Sequence, residues 1–230
     1  MLKNLLFKKA TKHYINYIIL SKMDKNIREL YQTNDDIVFI LKTGLKIGWE
    51  EIKSQSINRI IYLSKVLYSF VNDIEPNIME YYHFTSNLAG PVSAVINKSL
   101  VDLESREFTI SENSGIKLNI TGHPLENILD SSLDNAKKQR QDWYKTIILL
   151  LGKYGENKVF SFTVNDPLYI ENVESNSPKE IPFDDSENKT LEVLNSFKEA
   201  FEKSITDTSS ISREEYLELY FDFIFSQIIK

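Results

Sequence analysis

Glu107-Phe108-Thr109-Ile110, then Ser111-Glu112-Asn113-Ser114-Gly115, then Ile116-Lys117-Leu118-Asn119-Ile120 is the stretch on which the fold turns. Two short runs flank a polar, glycine-bearing loop, a pattern that specifies a β-hairpin. What precedes it reads as helix. Thr33-Asn34-Asp35-Asp36 offers N-cap side chains and carboxylates suited to the positive end of a helix dipole, so a helix is expected to start there. Ile37, Ile40, Leu41 and Leu45 recur at helical spacing, and Gly48 suits the end. A second helix is expected from about Ile57 to Val71, with Leu63, Val66 and Phe70 widening its apolar stripe toward burial on more than one side. A third is expected from Gly90-Pro91 through Leu103. Helix, helix, helix and hairpin over residues 33–123 is the order of a winged helix-turn-helix.

Outward from that module the chain changes character. Residues 1–32 read as a basic N-terminal helical arm: residues 1–30 carry seven cations and two carboxylates, a net +5. Residues 124–230 read as a helical C-terminal region. Leu125, Ile128, Leu129 and Leu133 recur helically ahead of the dense apolar run Trp143 to Leu151. Val159 to Val164 reads as a short strand, and residues 174–188, rich in carboxylate, serine and proline, as an acidic mobile loop or linker. Two helices close the chain near 189–205 and 213–229. Ser212-x-x-Glu215 opens the last as a capping box. The expected class is mainly α with a small β-hairpin: a winged-helix-like core plus a helical C-terminal region. A domain break is placed near residue 125 or within 174–188, and no internal repeat is visible.

Composition bounds the chemistry. At 230 residues and 26.8 kDa, with 42% hydrophobic and 26% charged residues, the chain has the profile of a globular protein. Absence of cysteine excludes disulfides, thiol nucleophiles and thiolate metal sites. The net charge of −6 opposes broad nucleic-acid binding, and residues 171–230 concentrate it, with fourteen carboxylates against six cations. The apolar block Tyr14 to Leu20 is short, broken by Asn16, and followed by no small-residue cleavage site. A cytoplasmic protein with no membrane span is expected.

Tests for catalytic and ligand motifs return little. His13, His83 and His123 are far apart, with no metal-ligand spacing. Glu51-Ile52-Lys53, Glu156-Asn157-Lys158 and Glu187-Asn188-Lys189 match the [DE]-x-K pattern of nucleases. With 33 carboxylates and 22 lysines in the chain, about three such matches arise by chance. Gly152-Lys153-Tyr154-Gly155 lacks the order of a phosphate-binding loop, and no G-x-S-x-G elbow exists. No catalytic, cofactor or metal site is expected. The third helix and hairpin could serve a DNA reader. Lys98 and Arg106 are offset there by Asp102 and Glu104, so the module is read as a protein-contact winged helix, with DNA contact indirect or weak. In the last helix, Tyr216, Phe221, Phe225 and Ile228 belong to a set of apolar groups too large for one stripe. Either that helix is central core, or one face is reserved for a partner; these four are the candidate partner-binding residues.

Asn34 to Lys42, Gly44-Leu45, Gly48-Trp49, Arg59 to Phe70, Tyr82-His83-Phe84 and Leu88-Ala89-Gly90-Pro91-Val92-Ser93 together resemble the middle component of bacterial ABC three-component systems. That group includes Lamassu-type anti-phage defence. More distantly, the segment is similar to the Panacea-type antitoxin domain. The resemblance covers about a third of the chain and its motifs are structural. It implies a non-catalytic accessory subunit of an SMC-like ATPase complex, bridging the ATPase to an effector, often a nuclease, and restraining that effector. The alternatives are a winged-helix DNA-binding regulator and an antitoxin-like protein that neutralises a toxin.

Overall fold

Helix α1 (Lys25–Lys46) begins eight residues before the expected cap. In this computed structural model, which describes residues 24–72, 78–112, 115–121, 135–173, 179–183, 188–205 and 211–228, the N-cap is Asp24, whose Oδ1 accepts from the Asn26 amide at 2.8 Å. Thr33, Asn34 and Asp36 lie in mid-helix and are buried. The Thr33 hydroxyl donates back to the Glu29 carbonyl (2.7 Å), while Asn34 and Asp36 reach other elements. Thr33 bonds back within the helix while Asn34 and Asp36 satisfy tertiary partners, so the helix has no reason to start at them.

Helix α2 (Ser54–Val71) is the centre of the molecule. Ile57, Ile60, Ile61, Leu63, Val66 and Leu67 are all buried, as the wide stripe requires. Helix α3 (Ala94–Ser105) packs along α1 and starts after Ser93, later than expected. Pro91 lies instead in an extended segment, because Val92 exchanges two backbone hydrogen bonds with Thr85 (2.9 and 3.0 Å). The hairpin follows as β1 (Thr109–Ser111) and β2 (Ile116–Leu118), antiparallel, with Thr109 opposite Leu118 and Ser111 opposite Ile116. Ile52 pairs with the other edge of β2 through Ile116, fixing the hairpin to the chain entering α2.

Five helices complete the fold: α4 (Asn135–Gly152), α5 (Glu156–Val164), α6 (Pro167–Val173), α7 (Lys189–Ser204) and α8 (Arg213–Ile228). Together with α1 to α3 they make eight helices and one two-stranded hairpin among the described residues. The class is mainly α with a small β-hairpin, as expected. Helix α5 corrects the strand expected at Val159 to Val164. Val159, Phe162 and Thr163 are its buried positions, at helical spacing, and Phe162 packs on Tyr220, Phe221 and Phe225 of α8. Burial of one helical face outweighs a local preference of Val, Phe and Thr for strands.

The acidic segment is corrected in part. Lys179 to Phe183 is an ordered strap, with Ile181 buried and Phe183 against the rings of Tyr62 and Phe84. Residues 174–178 and 184–187 lie outside the described set, as do the N-terminal arm up to residue 23 and the stretch with Leu125, Ile128, Leu129 and Leu133. One contiguous hydrophobic cluster joins α1, α2 and α3 to α4, α5, α7 and α8. Among the described residues no helix is long and apolar enough to cross a membrane.

Candidate functional site

Three charged residues between positions 34 and 70, Asp36, Arg59 and Lys65, are buried. Asp36, wholly buried on α1, accepts from Arg140 Nε of α4 at 3.2 Å to each carboxylate oxygen. Its Oδ2 also accepts from the phenols of Tyr81 (2.7 Å), Tyr82 (3.0 Å) and Tyr144 (3.2 Å). Burial, the largest single influence on Arg140, opposes its charge, but Asp36 together with Tyr81, Tyr144 and Tyr82 holds the guanidinium above its ordinary range. Burial and then the Asp36 charge push the phenols of Tyr81, Tyr82 and Tyr144 up, so all three stay donors. Beside them Lys137 Nζ meets Asp35 at 2.6 Å, with burial raising the Asp35 carboxyl despite the partner. This constellation ties α1, the 81–82 turn and α4 together.

A second hub is Asp166, which sequence reasoning missed. Buried ahead of α6, it accepts from Tyr62 (2.7 Å), Thr190 (2.6 Å) and the Tyr169 amide (3.1 Å), joining α2, α6 and α7. Burial raises its carboxyl even so. The signal was present as Asp166-Pro167, an N-cap followed by a proline at the first helical position. Asn188 caps α7 in the same manner, accepting from the Thr190 and Leu191 amides.

Two buried cations line α2. Arg59 donates to the Ala89 carbonyl (2.7 Å), lies over the Phe160 ring (4.2 Å) and is lowered by burial. Gly90 closes onto it with φ +126°, where an added Cβ would stand 3.2 Å from Arg59 Nε. Lys65 donates to the Glu80 carbonyl (3.1 Å) and to the Tyr82 carbonyl, over the ring of Phe183 at 4.2 Å. Burial lowers it to about 8. Its ammonium borders a cleft of about 460 Å³ between α2, residues 80–83 and the strap.

Three of the four candidate partner residues of α8 turn inward as well. Tyr216, Phe221 and Phe225 are 1%, 0% and 2% exposed, packed on Phe201 and Phe162, so the open choice between core and partner surface closes on core for these three. The side chain of Ile228 lies outside the described residues. Among the described aromatic rings of α8, Phe223 is the half-exposed one, at 50%, against Phe197 of α7. The capping box forms in both directions, Ser212 N–H to Glu215 at 2.7 Å and Glu215 N–H to Ser212 Oγ at 3.2 Å.

The remaining motif residues are scattered or tied down. Lys53 of one [DE]-x-K match pairs with Glu156 of another (3.4 Å), and Ser56 donates to the same Glu156 (2.5 Å). His83 pairs with Glu180 (2.8 Å), while His13 and His123 lie outside the described residues. Among the described residues no group of three or more His, Asp or Glu is placed to hold a metal ion. On α3, Arg106 is engaged by Asp102 (3.3 Å), and Asp102 accepts from Asn34 (2.7 Å).

No family model, curated protein or solved structure matches the chain.

Proposed function

We propose that the protein is a non-catalytic accessory subunit of an SMC-like ATPase complex in anti-phage or anti-plasmid defence. It would join the ATPase to an effector nuclease and hold that effector inactive, without a cofactor of its own and with only indirect or weak DNA contact. The observation that carries this reading is the use made of the motif residues. Asp36, Arg59, Tyr82 and Gly90, the polar and special residues of the resembling segment, all brace one element against another. Such a segment is suited to holding a scaffold in shape. The opposite charges of the two ends of the sequence, +5 over residues 1–30 and −8 over 171–230, suit two partners of different charge.

The test is co-expression with the genomic neighbours, affinity purification on this chain and mass spectrometry. Recovery of a large ATPase together with an effector supports the reading. Recovery of a lone small toxin favours a neutralising protein, and specific, salt-sensitive retention of the gene's own upstream DNA favours a regulator.

A further inference from the structure

Thr85 lies in the middle of three short extended segments. On one side it exchanges backbone hydrogen bonds with Val92. On the other, the Ser86 amide donates to the Lys179 carbonyl (2.9 Å) and the Ile181 amide donates to the Phe84 carbonyl (2.8 Å), with Thr85 and Glu180 antiparallel. Lys179 to Phe183 is thus an edge strand added to residues 84–86. Its side chains alternate in the manner of a bound extended peptide: Ile181 and Phe183 face the core, Glu180 and Pro182 face solvent.

We propose that the 84–86 edge is a strand-addition groove for an extended segment of a partner protein, filled here by the chain's own Lys179–Phe183. The segment it fits carries a carboxylate, an aliphatic residue, a spacer and an aromatic residue in that order, as Glu180-Ile181-Pro182-Phe183 does. The aromatic slot is made by Tyr62, Phe84 and the Lys65 ammonium, and the carboxylate meets His83.

Three observations favour replacement. The acceptor edge has anchors besides the strap: Ser86 Oγ, which accepts from the Lys179 amide at 3.4 Å, also donates to the Asn172 carbonyl (3.0 Å), and Tyr169 donates to the Asn87 carbonyl. The strap borders an open cleft of about 460 Å³ that it shares with Lys65, Glu80 and His83. In the sequence, Ile181 and Phe183 are the only large apolar residues from 174 to 188, so among its described residues the strap buries just two apolar side chains beside its backbone pairing and the Glu180–His83 pair. The inference stands on the strap and does not require the accessory-subunit reading.

A fluorescein-labelled peptide of residues 177–186, titrated by anisotropy into the full chain carrying Ile181→Ser and Phe183→Ser, tests it. The peptide should bind this variant and bind wild type at least about tenfold more weakly, because the tethered strap competes at high effective concentration. A peptide with Phe183→Ser should lose binding. No binding to a variant that keeps its helical circular dichroism overturns the proposal. Should the variant lose that signal, amide exchange of the wild-type chain decides. Release of the Ser86 and Ile181 amides at least about tenfold faster than those of α2 supports a displaceable strap, whereas exchange together with α2 overturns it. A wild-type dimer abolished by Phe183→Ser would give the groove to a second copy and overturn the partner assignment.

Discussion

Asp36 and Arg140, 104 positions apart in the chain, meet with Arg140 Nε 3.2 Å from both carboxylate oxygens and both side chains buried. A carboxylate so placed is sustained only while its donors remain. Arg140→Met should therefore destabilise the protein by roughly 3–5 kcal/mol, leaving Asp36 with three phenols and no countercharge. Adding Asp36→Asn should recover part of that loss, a coupling of about 0.5–3 kcal/mol in a double-mutant cycle measured by urea unfolding. Additive losses would mean that the two groups do not act as a pair.

Phe221 and Phe223 are two positions apart on α8 and should behave oppositely. Phe221→Ala empties a core site facing Phe162 and Phe225, with an expected cost of roughly 3–5 kcal/mol. Phe223→Ala removes a half-exposed ring and one aromatic contact, with an expected cost of about 1 kcal/mol. Thermal melts of the two variants distinguish an inward from an outward Phe221.

Gly90 has a left-handed backbone and little room above it. Gly90→Ala should cost about 1–3 kcal/mol, from strain at φ +126° and from crowding Arg59. If chemical denaturation shows no loss, the 87–90 turn does not hold Arg59 as described.

Lys65 makes stability depend on pH above neutrality. Its folded-state value, about 8, lies below the ordinary 10.5, so between these values the unfolded chain binds a proton that the folded chain does not. Stability from this group therefore rises as pH increases from about 8 toward 10, where burial-raised tyrosines begin to act in the opposite sense. The difference in unfolding free energy between wild type and Lys65→Met, followed over that window, should grow in favour of wild type by on the order of 1–3 kcal/mol. A flat difference would show that Lys65 keeps an ordinary proton affinity.

The capping box of α8 is solvent-exposed and local. Ser212→Ala should cost about 1 kcal/mol, read as a small fall in melting temperature with no change in helical content.

The hairpin was legible because its determinants are adjacent in sequence: two short runs and a polar turn with Gly115. The central α2 was legible for a similar reason, its stripe being too wide for a surface helix. The start of α1 was not, since Asn34 and Asp36 have the chemistry of caps but spend it on Asp102 and Arg140, partners that local patterns do not reveal. Likewise Val159 to Val164 carries strand-forming residues, and only the rings of α8 make a helix the better use of Phe162. The strap eluded the composition of its neighbourhood because two apolar residues among carboxylates weigh little in an average. As for the site, the apolar excess of α8 was visible, but which of its rings faced inward depended on α5 and α7.

Helix α2 touches α3, from the first half of the chain, and α4, α5, α7 and α8 from the second. A polypeptide cut between residues 121 and 135 should accordingly give two fragments, neither of which becomes cooperative alone, since the first lacks the walls around α2 and the second lacks α2 itself. Mixed together, they should reassemble into a nicked protein whose association constant reports the strength of that central seam.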